Sequence, residues 1–147
     1  MRTSLAVALG VGCGLGCGVD TAACVSPLQV EATMHATADE VRPILARSCA
    51  LGGCHLSAPG AGGLVLDVAS AAWVTAVVGA RAQANPAMEL VAAGRPERSW
   101  LVAKLDGVFC DATCDRDLGC GAAMPPGEPL SDAERAVIVA WIRDGAR

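Results

Sequence analysis

The sequence predicts an all-α fold, because it contains two capping boxes and apolar residues at helical spacing. Thr37 is followed three residues later by Glu40, a pattern that caps helix N-termini by reciprocal hydrogen bonds. Ser131 and Glu134 repeat it near the end of the chain. Apolar side chains after each box recur every three or four residues, and no stretch shows the alternation of a half-buried strand. We therefore expect a small set of helices around one core.

The first helix is expected to run from its Thr37 cap to about Cys49. Pro43 is tolerated best in a first turn, so a start nearer that residue remains open. The last helix follows Ser131 and is expected to end at Gly145. Its apolar stripe consists of Val137, Ile138, Trp141 and Ile142.

Between these two helices the sequence predicts shorter elements. Ser70 is expected to cap a helix that reaches Val78. The stretch 80–94 is predicted to be a loop with one short extended piece, followed by a helix over 96–106. Residues 107–130 form a long loop rich in Cys, Gly and Pro, and such a loop in a small domain is usually functional or cross-linked.

Composition limits both stability and function. Of the 147 residues 53% are hydrophobic but only 3% are aromatic, so a core built from small side chains buries little area per residue. A buried cofactor or covalent cross-links should therefore contribute to stability. The net charge of −4 argues against nucleic-acid binding, which needs a basic surface.

The N-terminus predicts export. An apolar, Gly-rich stretch follows Arg2, which is typical of a signal peptide over residues 1–19. A linker over 20–36 and one domain over 37–147 would follow, in the periplasm or cell envelope. Cys17 is the candidate for lipidation, which would attach the protein to a membrane. Cys13, Cys24 and ordinary cleavage after Ala23 are the alternatives.

Cys49, Cys54 and His55 form the strongest chemical motif, because two thiols followed at once by His is the arrangement that attaches c-type haem. The usual spacing leaves two residues between the cysteines, whereas here there are four. On a continuous helix such a pair would lie about 140° apart, on nearly opposite faces. The glycines at 52 and 53 allow the chain to loop back. A structural disulfide between the two cysteines is the alternative, and a zinc site that recruits Cys110 or Cys114 is a third.

Met124 precedes Pro125, Pro126 and Gly127, just ahead of the last capped helix. A methionine thioether is a soft, neutral ligand that raises haem potential when it faces a histidine across the iron. The prolines stiffen the loop and lower the entropic cost of holding the sulfur in place. The alternative is a methionine that only fills the core.

These motifs, in this order, resemble small class I cytochromes c, and the resemblance extends over residues 38–146. It is closest to cytochrome c-like lipoproteins of myxobacteria and planctomycetes. The resemblance implies one haem c, attached at Cys49 and Cys54, with His55 as proximal and Met124 as distal iron ligand. The wider cysteine spacing and the low aromatic content depart from the family pattern.

The remaining chemistry-bearing residues receive lesser roles. Four cysteines are disulfide candidates, and we expect one disulfide within the cluster 110–120; the four are Cys24, Cys110, Cys114 and Cys120. Arg95 and Lys104 could pair with haem propionates but are more often solvated. His35 is expected to be exposed and idle, with iron ligation in place of Met124 as its alternative. The three tryptophans are expected in the core, and they are Trp73, Trp100 and Trp141.

The sequence thus favours a monohaem electron carrier or haem-binding module rather than an enzyme, since no nucleophile and base pair up. A haem-free, disulfide-stapled envelope lipoprotein with a binding or structural role is the alternative. A haem-dependent enzyme would need an open iron position, which Met124 opposes. The redox partner protein is not indicated by the sequence.

Overall fold

The computed structural model describes residues 33–109 and 112–147. The predicted signal peptide, most of the linker, Cys17, Cys24 and Cys110 lie outside them. Within the described residues the chain forms four α-helices and no strands, which confirms the all-α class. The helices are α1 (Ala38–Ser48), α2 (Ala72–Val77), α3 (Trp100–Asp106) and α4 (Asp132–Arg143), with 3₁₀ turns at Ala61–Gly63 and Pro96–Arg98.

Both predicted capping boxes form. The Glu40 carboxylate accepts the Thr37 N–H at 2.8 Å, and the Glu134 carboxylate accepts the Ser131 N–H at 2.9 Å. Helix α1 continues through Pro43 rather than starting there. The missing proline N–H leaves one carbonyl of the first turn without its helical partner, and that turn is exposed, so water can satisfy the carbonyl.

The predicted helix over 96–106 is confirmed from Trp100 to Asp106 but is interrupted near its start, at Ser99. The chain makes a 3₁₀ turn, Ser99 then leaves the helical conformation, and α3 begins at Trp100. The buried Ser99 hydroxyl accepts the Ala92 N–H at 2.9 Å and donates to the Arg95 carbonyl at 3.1 Å. These hydrogen bonds connect Ser99 to the preceding loop, and they stabilise the break more than a continuous helix would stabilise this stretch.

The loop before α3 is more ordered than a plain connection. Isolated bridges pair Val78 with Val91, Arg81 with Glu89, and Glu89 with Ser99, so the predicted extended piece exists without becoming a strand. Helix α2 ends one residue earlier than predicted because Val78 adopts an extended backbone to make its bridge. The Ser70 hydroxyl accepts the Ala72 N–H at 3.1 Å, close to its expected capping role.

The core lies where α1, α2 and α4 meet. Trp73 and Trp141 contact each other at 5.2 Å between ring centroids, with their planes tilted by 42°, and both are buried. Helices α1 and α4 contribute the buried side chains of Val41, Ile44, Leu45, Ile138 and Ile142 to the same cluster. Trp100 is also buried, so all three tryptophans lie in the core as predicted. This core supports one wall of the cavity described below.

The last residues of the predicted linker pack against the C-terminal end of α4. Ala36 is buried, and the Met34 carbonyl accepts a hydrogen bond from Arg143. His35 is exposed but not idle, because its Nδ1 lies 3.0 Å from the Asp144 carboxylate. Among the helices of residues 33–109 and 112–147, none combines the length and apolar character that crossing a bilayer requires.

Candidate cofactor site

A cavity of about 440 Å³ opens beside the core, between the end of α1, helix α3 and the loop before α4. All four residues predicted to hold a haem line it: Cys49, Cys54, His55 and Met124. The rest of the wall is mostly apolar and includes Leu45, Leu66, Trp73, Val77, Leu90, Val91, Trp100, Leu101 and Leu105. Its size and lining are those of small-molecule and cofactor sites, which are concave, mostly apolar and a few hundred cubic ångströms in volume.

The four residues between the two cysteines form a compact loop. Helix α1 ends at Ser48, and Gly53 has φ = +79°, a conformation that glycine adopts without strain. The His55 N–H then donates to the Cys49 carbonyl at 3.2 Å, which closes the loop. Both cysteines therefore reach the same cavity despite the wide spacing. Neither forms a disulfide within the described residues, contrary to the alternative of a Cys49–Cys54 bridge.

The His55 ring is held by the turn that follows it. Its Nδ1 lies 3.1 Å from the Leu64 carbonyl oxygen. Because a carbonyl only accepts, Nδ1 carries the hydrogen in this contact, and in the neutral ring Nε2 then holds the lone pair that can bind a metal. The backbone is fixed as well, since the Leu66 N–H donates to the His55 carbonyl at 2.7 Å.

Gly60 allows this turn to approach closely. A Cβ atom at this position would lie 2.0 Å from the Leu64 carbonyl oxygen, and φ is +65°. We expect Gly60→Ala to lower the free energy of unfolding of the apoprotein by at least about 2 kcal/mol, because backbone strain adds to displacement of that carbonyl. Urea denaturation measures the difference.

Gly62→Ala is the matched control, since Gly62 also has positive φ (+58°) but a Cβ there would meet nothing within 4 Å. It should cost about 1 kcal/mol from strain alone. Equal losses for the two variants would mean that the contact with Leu64 is unimportant.

Burial raises the pKa of the Cys49 thiol to about 11, and the neighbouring Cys54 adds to the shift. At pH 8 the thiolate fraction should then be about 100-fold smaller than for an unshifted thiol of pKa 9.0. We expect iodoacetamide to alkylate Cys49 in the native apoprotein at least about 100-fold more slowly than in urea. The native rate should keep rising with pH until about 11. Peptide mass spectrometry measures both rates, and equal rates would contradict the buried position.

Met124 is half-buried in the loop before α4. Its backbone N–H donates to the Lys104 carbonyl at 2.8 Å. Pro125 and Pro126 line the cavity beside it.

Trp73 contributes a different feature: its indole Nε1 is buried without a hydrogen-bond partner in residues 33–109 and 112–147. A bound ligand with an acceptor group could satisfy this donor, because buried N–H groups are rarely left unpaired.

Of the residues given lesser roles by the sequence, His35 and Arg95 are exposed and do not line the cavity. His35 is therefore not placed to replace Met124. Lys104 does line it, and its partly buried ammonium donates to the carbonyls of Cys120 and Ala122.

Cys114 and Cys120 form a disulfide, within the cluster where one was expected. In the described part of the chain no three Cys, His, Asp or Glu side chains gather as metal ligands, and Cys114 is already bonded, so these residues offer no zinc site.

Sequence reasoning missed the groups that position the ligands. The Leu64 carbonyl has no sequence signature, because every residue has a backbone carbonyl that could accept such a hydrogen bond. Gly60 was visible only as part of a glycine-rich loop. Comparison of the chain with protein-family models, curated proteins and solved structures gave no match.

Proposed function

We propose that this protein is an exported c-type cytochrome that carries single electrons. One haem would be attached through Cys49 and Cys54, with His55 and Met124 as iron ligands. The observation that carries the proposal is that Met124, far away in sequence, lines the same cavity as Cys49, Cys54 and His55. Residue 55 and residue 124 come together only through the fold, so their meeting is not a consequence of the motifs themselves.

The residues present fit the group. The cavity is apolar, as a porphyrin face requires, and its volume is of the right order for a cofactor of this size. The His55 tautomer leaves Nε2 available, and two free thiols are available for thioether bonds. The unpaired Trp73 Nε1–H offers a donor for a propionate.

When bound, haem supplies a one-electron iron couple. The protein's residues determine how readily the iron accepts that electron. His55 is fixed by the Leu64 carbonyl, which orients the ring and increases its basicity. Met124 is a neutral sulfur donor, which favours the reduced iron. The apolar walls exclude water and disfavour the extra positive charge of the oxidised iron, which raises the reduction potential further.

The test is to express the full chain in a bacterial periplasm that contains the haem-maturation machinery, and to record the reduced spectrum. Sharp α and β bands, with haem that survives extraction by acidified acetone, are expected. If the haem is lost on extraction, iron ligation by the protein is kept in the proposal and covalent attachment is excluded. A colourless protein with Cys49 bonded to Cys54 would overturn the proposal in favour of a haem-free envelope protein.

A further inference from the structure

Lys104 binds the segment that carries Met124. Its Nζ donates to the Cys120 carbonyl at 2.9 Å and also to the Ala122 carbonyl. Its own backbone carbonyl accepts the Met124 N–H at 2.8 Å. One residue of α3 therefore contacts the segment 120–124 at three points, the last of which is the methionine itself.

The ammonium occupies a confined position. It lies 5.1 Å from the centroid of Phe109 and 5.9 Å from that of Trp100, within the range of cation–π attraction. A Cβ atom on Gly121 would approach Nζ to 3.2 Å, so the segment passes close over the lysine. Desolvation in this position lowers the pKa of Lys104.

The sequence supports a specific need for this side chain. Lys104 is the only lysine in the chain, where every other basic position is arginine. A compact ammonium on a flexible stem can reach two carbonyls in a narrow space, whereas a planar guanidinium needs more room and a forked set of acceptors.

The ends of the segment are held independently. The Cys114–Cys120 disulfide fixes its beginning, and the Asp115 N–H donates to the Ala84 carbonyl at 2.8 Å. Pro125 and Pro126 restrict its end. Between these anchors, the contacts with Lys104 determine where residues 121–124 lie against the cavity.

We propose that Lys104 is a positioning residue that holds the Met124 sulfur against the iron, and so sets the strength of that axial bond. This inference rests on the proposed function. Cys49, Cys54 and His55 do not contact Lys104 in this arrangement of hydrogen bonds, so loss of the ammonium should weaken the Met124 bond and leave haem attachment intact.

The test compares haem-loaded Lys104→Leu with wild type. Leucine removes the ammonium and brings no group that could bind the iron. We expect unchanged haem per protein, a weaker sulfur–iron charge-transfer band near the red edge of the oxidised spectrum, and imidazole binding to the ferric protein at least about tenfold tighter. Arg116→Leu is the matched control, because it removes an exposed cation from the loop that carries Met124. Its band and imidazole affinity should equal those of wild type.

The outcomes separate the two proposals. Wild-type protein without haem overturns the proposed function. Loaded Lys104→Leu with an unchanged band, and imidazole affinity within twofold of wild type, overturns the role of Lys104 alone. If Lys104→Leu does not accumulate, acetylation of the single lysine in wild-type holoprotein decides. Acetylation much slower than in urea, with loss of the band once modified, supports the role, and a fully acetylated protein that keeps the band overturns it.

Discussion

Replacing His55 by alanine is expected to abolish stable haem incorporation, and the purified variant should lack the Soret and α bands. Among the described residues, His55 is the only histidine that lines the cavity, and its ring is already oriented by the Leu64 carbonyl. Its loss removes the proposed proximal ligand, and the described lining of the cavity contains no second imidazole to replace it. Haem content per protein, measured by pyridine haemochrome absorbance, should fall to background.

His35→Ala is the matched control for this variant. His35 is the other histidine of the chain, and it contacts Asp144 at the end of α4 rather than the cavity. This variant should load haem like wild type. Equal haem content in both variants would exclude His55 as the proximal ligand.

Replacing Met124 by leucine is expected to abolish the sulfur–iron charge-transfer band and to lower the reduction potential. The neutral thioether favours reduced iron, and leucine fills a similar volume without supplying a donor. The fall should be on the order of a hundred millivolts or more, within the range of about 0.8 V that axial ligands span. Protein-film voltammetry measures the potential, and the haem should remain covalently attached.

Met88→Leu controls for the loss of a sulfur elsewhere. Met88 is half-buried in the loop before α3 and does not line the cavity. Its potential and spectrum should match those of wild type. A Met124→Leu variant that keeps the band would assign the distal position to another group.

The elements with local hydrogen bonds were predictable from the sequence. The caps at Thr37 and Ser131 use partners three residues away, so their pattern is visible in a short window. The break at Ser99 was not predictable, because its hydroxyl bonds Ala92 across a loop whose course depends on tertiary packing. Propensity alone favoured one helix there, and the buried hydrogen bonds prevailed.

The same division applies to the site. Histidine and methionine are rare in this chain, with two and four residues, and Cys49 and Cys54 lie directly beside one of the histidines, so the four candidates could be selected from the sequence. The groups that orient them are a backbone carbonyl at Leu64 and a lysine expected to be solvated. The single occurrence of lysine was the one available signal for Lys104, and it became meaningful only beside the carbonyls of the Met124 segment.

The contrast between the sulfur atoms bears on biogenesis. One pair, Cys114 and Cys120, is oxidised, whereas Cys49 and Cys54 are free thiols, which the proposed haem attachment requires. Thiol–disulfide exchange proceeds through the thiolate, so the high pKa of Cys49 slows its attack on the existing bridge. In the folded chain this slows exchange between Cys49 and the Cys114–Cys120 bridge, and so preserves one thiol that the proposed haem attachment would use.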